Sequence, residues 1–128
     1  MTTPRRILLA EDDRFLRRAC ETALRRRGFT VLLAVDGEEA LTLARGERPD
    51  LVLLDLLMPK LSGFEVLRAL RGDPTTRDVP VLILSNSSLA VDMLEAQALG
   101  VIAYLVKANL TLQGLGDRIE RHFEEQQP

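Results

Sequence analysis

Four short apolar runs in this 128-residue chain end in a residue that could do chemistry. Ile7 to Ala10 runs directly into Glu11-Asp12-Asp13, Leu51 to Leu54 into Asp55, Val81 to Leu84 into Ser85, and Ile102 to Val106 into Lys107. Carboxylates gathered in one place repel: at about 5 Å and an effective dielectric near 20, each ionised pair costs roughly 3 kcal/mol. A divalent cation is the simplest reason to gather them. Hard oxygen donors suit Mg2+ (or Mn2+), which keeps several waters and is satisfied by one or two carboxylates plus a phosphate oxygen. Glu11, Asp12 and Asp55 are therefore the candidate metal group, whereas Asp13 is placed to cap a following helix. Ser85 offers a hydroxyl donor. Lys107, one of only two lysines among 17 basic residues, offers a compact point charge that can reach an acid or a phosphate.

These ends meet only if the runs lie side by side. Together with Val31 to Val35 they make five continuous apolar runs, as expected of buried strands covered by helices on both faces. Longer segments of helical period separate them, and the alternation predicts βα units around a parallel sheet. Ligands of such a sheet sit beyond the carboxyl ends of its strands, where the winding reverses. In the strand order 2-1-3-4-5 the first and third strands are neighbours there, and their acids share one cleft.

The intervening helices are well marked. The first places Leu16, Ala19, Cys20, Ala23 and Leu24 on one face, with Cys20 in the core, and Gly28 stops it. Asp36-Gly-Glu-Glu39 and Ser62-Gly-Phe-Glu65 are capping-box patterns that open the second and third. The fourth is expected from Ser88 to Leu99, and the fifth carries Leu112, Leu115, Ile119 and Phe123 on one face.

Composition narrows the function classes. With 46% hydrophobic and 28% charged residues the chain can build a core and is neither disordered nor membrane-spanning. One domain is expected over 1–128, with a core from 5 to 123 and a polar tail at 124–128. No apolar run reaches the ~18 residues of a membrane helix, and the apolar segment Ile7 to Ala10 is too short for a signal peptide. A cytoplasmic location follows as the expectation. A lone cysteine excludes an internal disulfide, and a net charge of −2 gives no global pull toward nucleic acid. Six arginines between Asp13 and Arg27 form either a docking surface for an acidic partner or a solvated helix face. His122, the only histidine, is expected as a helix-terminal cation or surface residue rather than a phosphoryl carrier.

Taken in order, these residues resemble the receiver domain of two-component response regulators, in its stand-alone form, over residues 5–123. Glu11-Asp12 looks like the acidic pair of that family, Asp55 in Asp-Leu-Leu-Met58-Pro59 like its phosphoacceptor segment, and Gly63 falls eight residues later as in the family. Ser85, Tyr104 and Lys107 match its hydroxyl residue, aromatic switch and lysine. The resemblance implies an α/β fold: a flavodoxin-like, doubly wound, five-stranded parallel sheet of order 2-1-3-4-5. It implies that Asp55 accepts a phosphoryl group from a sensor histidine kinase or histidine phosphotransfer protein. The Mg2+ ligands would be Asp12, Asp55 and the Leu57 carbonyl, with Glu11 acting through water. Lys107, Ser85 and the Asn86 backbone N–H would hold phosphoryl oxygens, and Ser85 and Tyr104 would carry the switch to a downstream protein target. The domain would be a signalling module rather than an enzyme, with no DNA-binding domain, no membrane segment and a possible homodimer.

The chain departs from the family pattern at three places. Ala108 follows Lys107 where proline is common, which predicts a trans bond and a rearranged loop. Leu57 is apolar where polar side chains assist hydrolysis, and Asn86 is bulkier than usual; both predict slow dephosphorylation. Two other classes compete. A Mg2+-dependent aspartate-nucleophile phosphohydrolase would need a second acid two residues after the first, and Leu57 cannot donate a proton. A phosphorylation-independent pseudo-receiver or nucleotide-binding module would lack the intact acidic set or carry a glycine-rich loop.

Overall fold

The computed structural model describes residues 3–126. Five parallel strands, β1 (Arg6–Ala10), β2 (Thr30–Ala34), β3 (Leu51–Asp55), β4 (Val81–Ser85) and β5 (Ala103–Val106), form one sheet in the order β2-β1-β3-β4-β5. The helices α1 (Arg14–Arg26), α2 (Gly37–Glu47), α3 (Gly63–Gly72), α4 (Ala90–Ala98) and α5 (Leu112–Glu125) alternate with them, and a 3₁₀ turn at Lys107–Asn109 precedes α5. This is the α/β, flavodoxin-like arrangement that the resemblance implies, built on the parallel sheet that the alternation of runs predicts.

Strand residues alternate between two cores. Leu8, Val52, Leu54, Val81 and Ile83 pack against Val66, Leu67 and Leu70 of α3, Ala40 and Ala44 of α2 and Ala96 of α4. Ile7, Leu9, Leu51, Leu53, Leu82 and Leu84 pack against Cys20 and Leu24 of α1 and Leu115, Ile119 and Phe123 of α5. Both faces of the central strands are covered, which is why their sequences are unbroken apolar runs. Burial, then the charge of Glu11, push the Cys20 thiol up to about 11, so it stays protonated in the core.

The starts of α1, α2 and α3 hold as expected. Asp13 caps α1, accepting from the N–H groups of Phe15 (2.9 Å) and Leu16 (3.1 Å). Asp36 accepts from Glu39 N–H (2.8 Å), while the Glu39 carboxylate reaches back to Val35 N–H (3.1 Å). Ser62 accepts from Glu65 N–H at 3.2 Å. In α1, Arg25 pairs with Glu21 at 3.0 Å, and Arg14, Arg18 and Arg26 are exposed.

Several sequence expectations need correction. The edge strands β2 and β5 are only partly buried, because each has a neighbour on one side only. Val35 lies past β2 and is 43% exposed, and Ile102 lies before β5. Helix α4 begins at Ala90 rather than Ser88, with no side-chain cap, because Ser87 and Leu89 are drawn into the preceding loop. Leu112 is the first residue of α5 and stays 38% exposed, off the face that its periodicity suggested. His122 lies in the last turn of α5 as expected, but it is not a surface residue: it is buried, edge-on to Phe123 at 5.2 Å. Burial, followed by Arg118 and Arg5, holds its imidazole below the usual histidine range.

Gly63, like Gly37, is dictated by close approach to backbone. A Cβ on Gly63 would lie 2.4 Å from the Asp55 carbonyl oxygen and 2.4 Å from Leu56 Cα, and Gly63 N–H donates to Leu56 O at 2.8 Å. The start of α3 is thereby clamped onto the end of β3. Gly46 in α2 has open space where a Cβ would go. Urea denaturation should therefore separate the two: Gly63→Ala loses about 1–3 kcal/mol through overpacking, and Gly46→Ala gains roughly 0.5–1 kcal/mol through helix propensity.

Candidate functional site

Strand register brings the chemistry-bearing residues to one edge. Ala10 pairs with Leu54 and Asp55 with Leu84, so Glu11 and Asp12 begin where β3 ends in Asp55. Ser85 pairs with Val106, so the hydroxyl lies beside the residue that precedes Lys107. Each side chain is presented by the last residue of a strand or the first residues beyond it, on backbone held by the ladder.

The acids form a cluster. Carboxylate oxygens of Glu11, Asp12 and Asp55 lie within 4.8 Å of one another; Glu11 and Asp55 are buried and Asp12 is exposed. Lys107 sits between the two buried acids, its Nζ 2.9 Å from Glu11 Oε1 and 3.2 Å from Asp55 Oδ2. The other oxygens take backbone donors: Glu11 Oε2 accepts from Asp13 N–H (3.0 Å) and Asp55 Oδ1 from Leu57 N–H (3.1 Å). Burial, and next the adjoining Glu11 carboxyl, push Asp55 up to about 7, against the opposing effects of Leu57 N–H and Lys107. Burial disfavours the Lys107 ammonium too, but Glu11 and Asp55 together outweigh it and hold its pKa above the ordinary lysine value.

The cluster fits a divalent cation. All three side chains are hard oxygen donors, Asp12 opens the group to solvent, and Glu11 Oε1 and Asp55 Oδ2 are buried with no hydrogen-bond partner of good geometry beyond their ion pairs with Lys107. Gathering three such groups around a single ammonium leaves an excess of negative charge that a cation would meet.

The remaining predicted residues fall around this cluster. Ser85 is buried, and its Oγ accepts from Ser87 N–H at 3.0 Å. Asn86 is exposed beside it. Leu57 follows Asp55 with its side chain 65% exposed. Tyr104 is half-buried against the α2–α4 face, and its hydroxyl donates to Ser87 O at 3.0 Å. Among the described residues all peptide bonds are trans, and the chain after β5 closes the 3₁₀ turn through Leu110 N–H to Lys107 O at 3.1 Å.

Two residues of this neighbourhood went unnoticed in the sequence. Arg17 donates to the carbonyls of Glu11 (2.9 Å) and Asp12 (3.3 Å), fixing the backbone of the acidic pair. Ser87 joins Ser85 to Tyr104. Arg17 acts through backbone carbonyls, which no side-chain spacing announces, and Ser87 through loop contacts to Ser85, Asp92 and Tyr104 that follow no helical or strand period.

Comparison with known proteins agrees with this geometry. The response regulator receiver domain model matches residues 7–120. Over 102 residues the chain is 42% identical to a probable transcriptional regulator ycf27 of Porphyridium aerugineum, spanning 80% of this chain and 41% of that protein. Over 104 residues it is 41% identical to response regulator MprA of Mycolicibacterium vanbaalenii, spanning 81% of this chain and 44% of that protein. The chain thus spans less than half the length of these curated relatives. The receiver domain of Francisella response regulator 1452 superposes with a TM-score of 0.88 at 28% identity, covering 96% of this chain and 99% of that one. Chemotaxis protein CheY4 of Vibrio cholerae superposes with a TM-score of 0.85 at 28% identity, covering 93% and 98%. With sheet order, acidic cleft and sequence match in agreement over nearly its whole length, the chain belongs to the response regulator receiver domain family.

Proposed function

We propose that this domain accepts a phosphoryl group on Asp55 from a phosphohistidine of a sensor histidine kinase or histidine phosphotransfer protein, and signals the change through contact with a downstream protein. The observation that carries this reading is the setting of Asp55. Its carboxylate is buried at a strand end, with one oxygen on Leu57 N–H, the other beside Lys107, and two further acids close by.

In the transfer a P–O bond forms to an Asp55 oxygen while the P–N bond to the imidazole breaks, its electron pair staying on the imidazole nitrogen. Such transfers pass through a loose transition state, so the protein's contribution is to position groups and neutralise charge. Leu57 N–H fixes the rotation of the Asp55 carboxylate. Lys107 can pass from the two carboxylates to a phosphoryl oxygen with a small movement of its ammonium, while Ser85 and the Asn86 backbone N–H supply hydrogen bonds. Mg2+ or Mn2+, held by Asp12, Asp55 and the Leu57 carbonyl with Glu11 acting through water, would supply the positive charge that keeps Asp55 ionised and offsets the charge of the arriving group. The apolar Leu57 side chain at the mouth of the cleft offers nothing to orient a hydrolytic water, which favours a long-lived phosphoryl group.

Incubation with a small phosphodonor and Mg2+ tests the reading directly. Intact mass should show the gain of one phosphoryl group in the parent and none in Asp55→Asn; equal uptake in both would place the acceptor elsewhere. A second test uses the position of the Asp55 equilibrium. Its folded value of about 7 lies above the usual 3.8, so the folded domain keeps a proton that the unfolded chain has already lost. The resulting stability is complete below pH 4 and is lost as pH rises through about 7. Urea denaturation in EDTA at pH 5 and pH 8 should therefore show a larger decline in the parent than in Asp55→Asn, and identical declines would contradict the assigned cause.

A further inference from the structure

The loop that follows Asp55 is held at its ends by β3 and α3, and in its middle by a part of the fold outside the site. At the ends, Leu57 N–H donates to Asp55 Oδ1 at 3.1 Å and Gly63 N–H to Leu56 O at 2.8 Å. The middle turns tightly: Leu61 N–H donates to Pro59 O at 2.8 Å around Lys60, whose φ of 69° lies in the left-handed region. A bond from residue i+2 back to residue i across a positive φ marks a γ-turn of the rare, strained hand. A lysine keeps that conformation only where its surroundings impose it.

Those surroundings are the turn between β2 and α2. Gly37 N–H donates to Pro59 O at 3.3 Å, and Asp36 Oδ2 lies 3.4 Å from Lys60 Nζ. A Cβ on Gly37 would fall 2.3 Å from Leu61 O and 2.5 Å from Leu61 Cβ. The ion pair is more than half exposed on the lysine side and contributes little by itself; the backbone approach at Gly37 is what sets how closely the loop can lie. The turn is stiff, because Asp36 and Glu39 close a capping box on Glu39 N–H and Val35 N–H. It also reaches the other half of the cluster, since Ala34 at the end of β2 accepts Glu11 N–H at 3.1 Å. One turn therefore bonds to the segment that opens the acidic pair and to the loop that follows Asp55.

Little freedom remains between Pro59 and Leu57. Pro59 fixes its own φ and keeps Met58 extended, and Met58 packs against the core covered by α2 and α3. A shift at Pro59 is thereby passed to Leu57, whose N–H holds the Asp55 carboxylate.

We propose that Gly37 is a positioning residue for the metal site: through Pro59 it sets the spacing between the acidic pair and the loop carrying Leu57, and so sets how tightly the cleft holds a divalent cation. This rests on the metal and acceptor reading given above. Gly37 touches neither the cation nor the phosphoryl group and acts only through the loop. Coupling of this kind is reciprocal, so a bound cation in turn holds the Gly37 contact more firmly.

Calorimetric titration of the unphosphorylated full chain with Mn2+ tests the proposal. Gly37→Ala, checked for native far-UV circular dichroism, should raise the Mn2+ dissociation constant about tenfold or more, the usual cost of losing a contact that supports a metal ligand. Asp36→Ser keeps a helix cap and loses only the exposed ion pair, so it should stay within about threefold of the parent. Gly46→Ala, which has open space around the new Cβ, should bind as the parent does. Should Gly37→Ala fail to fold, amide exchange in the parent decides. Saturating Mg2+ should slow exchange at Gly37 N–H about tenfold more than at Thr75 N–H, a turn amide bonded to Asp73 at the opposite edge of the sheet. Parent-like Mn2+ affinity in folded Gly37→Ala, or equal slowing at the two amides, would overturn the role of Gly37 and leave Asp55 as acceptor. A parent that binds no Mn2+ would overturn it together with the metal reading.

Discussion

Two buried carboxylates share one ammonium in this domain, and the geometry of the cleft depends on it. Glu11 and Asp55 cannot both be ionised side by side in a dry site without a counter-charge, and Lys107 supplies it from the end of a third strand. One positive charge against three clustered acids is a deliberate shortfall. It leaves the Asp55 carboxyl pushed up to about 7 and the cleft with a group of three acids that could hold a cation.

Holding that arrangement is the work of the sheet. Strands β1, β3 and β4 are buried along almost their whole length, and a slip in register would draw the polar residues at their ends into the core and misplace the acids. Clamps at the strand ends complete the job: Gly63 lets α3 close directly on Asp55 and Leu56, Arg17 holds the carbonyls of the acidic pair, and Asp13 turns the chain into α1 instead of joining the cluster. The site is rigid on the side of the acids. The side of Ser85 is different, because it is built from a loop whose order depends on side-chain hydrogen bonds to α4 and β5.

Much of this was legible in the residues. Continuous apolar runs separated by helical-period segments gave the parallel sheet, and the acids, hydroxyl and lysine at the ends of the runs gave the cleft, since parallel strands all present their carboxyl ends at one edge. Capping by Asp13, Asp36 and Ser62 was equally readable, because a cap is a local contact between neighbours in sequence. The misreadings share a cause. The exposure of Leu112 and Val35, the burial of His122 and the late start of α4 all depend on which neighbour covers an element, and periodicity does not carry that information.

Sequence alone therefore determined the class of fold, the edge at which chemistry gathers and the identity of the residues gathered there, because those follow from hydrophobic period and strand direction. Only the tertiary structure decided the charge balance and the connections. Lys107 bridges Glu11 and Asp55, Arg71 ties the end of α3 to the carbonyls of Val79 and Leu99, and Ser87 links Ser85 with Asp92 and Tyr104. Some of these contacts join residues far apart in the chain and others run through backbone atoms that every residue possesses, so no side-chain pattern announces them before the chain is folded.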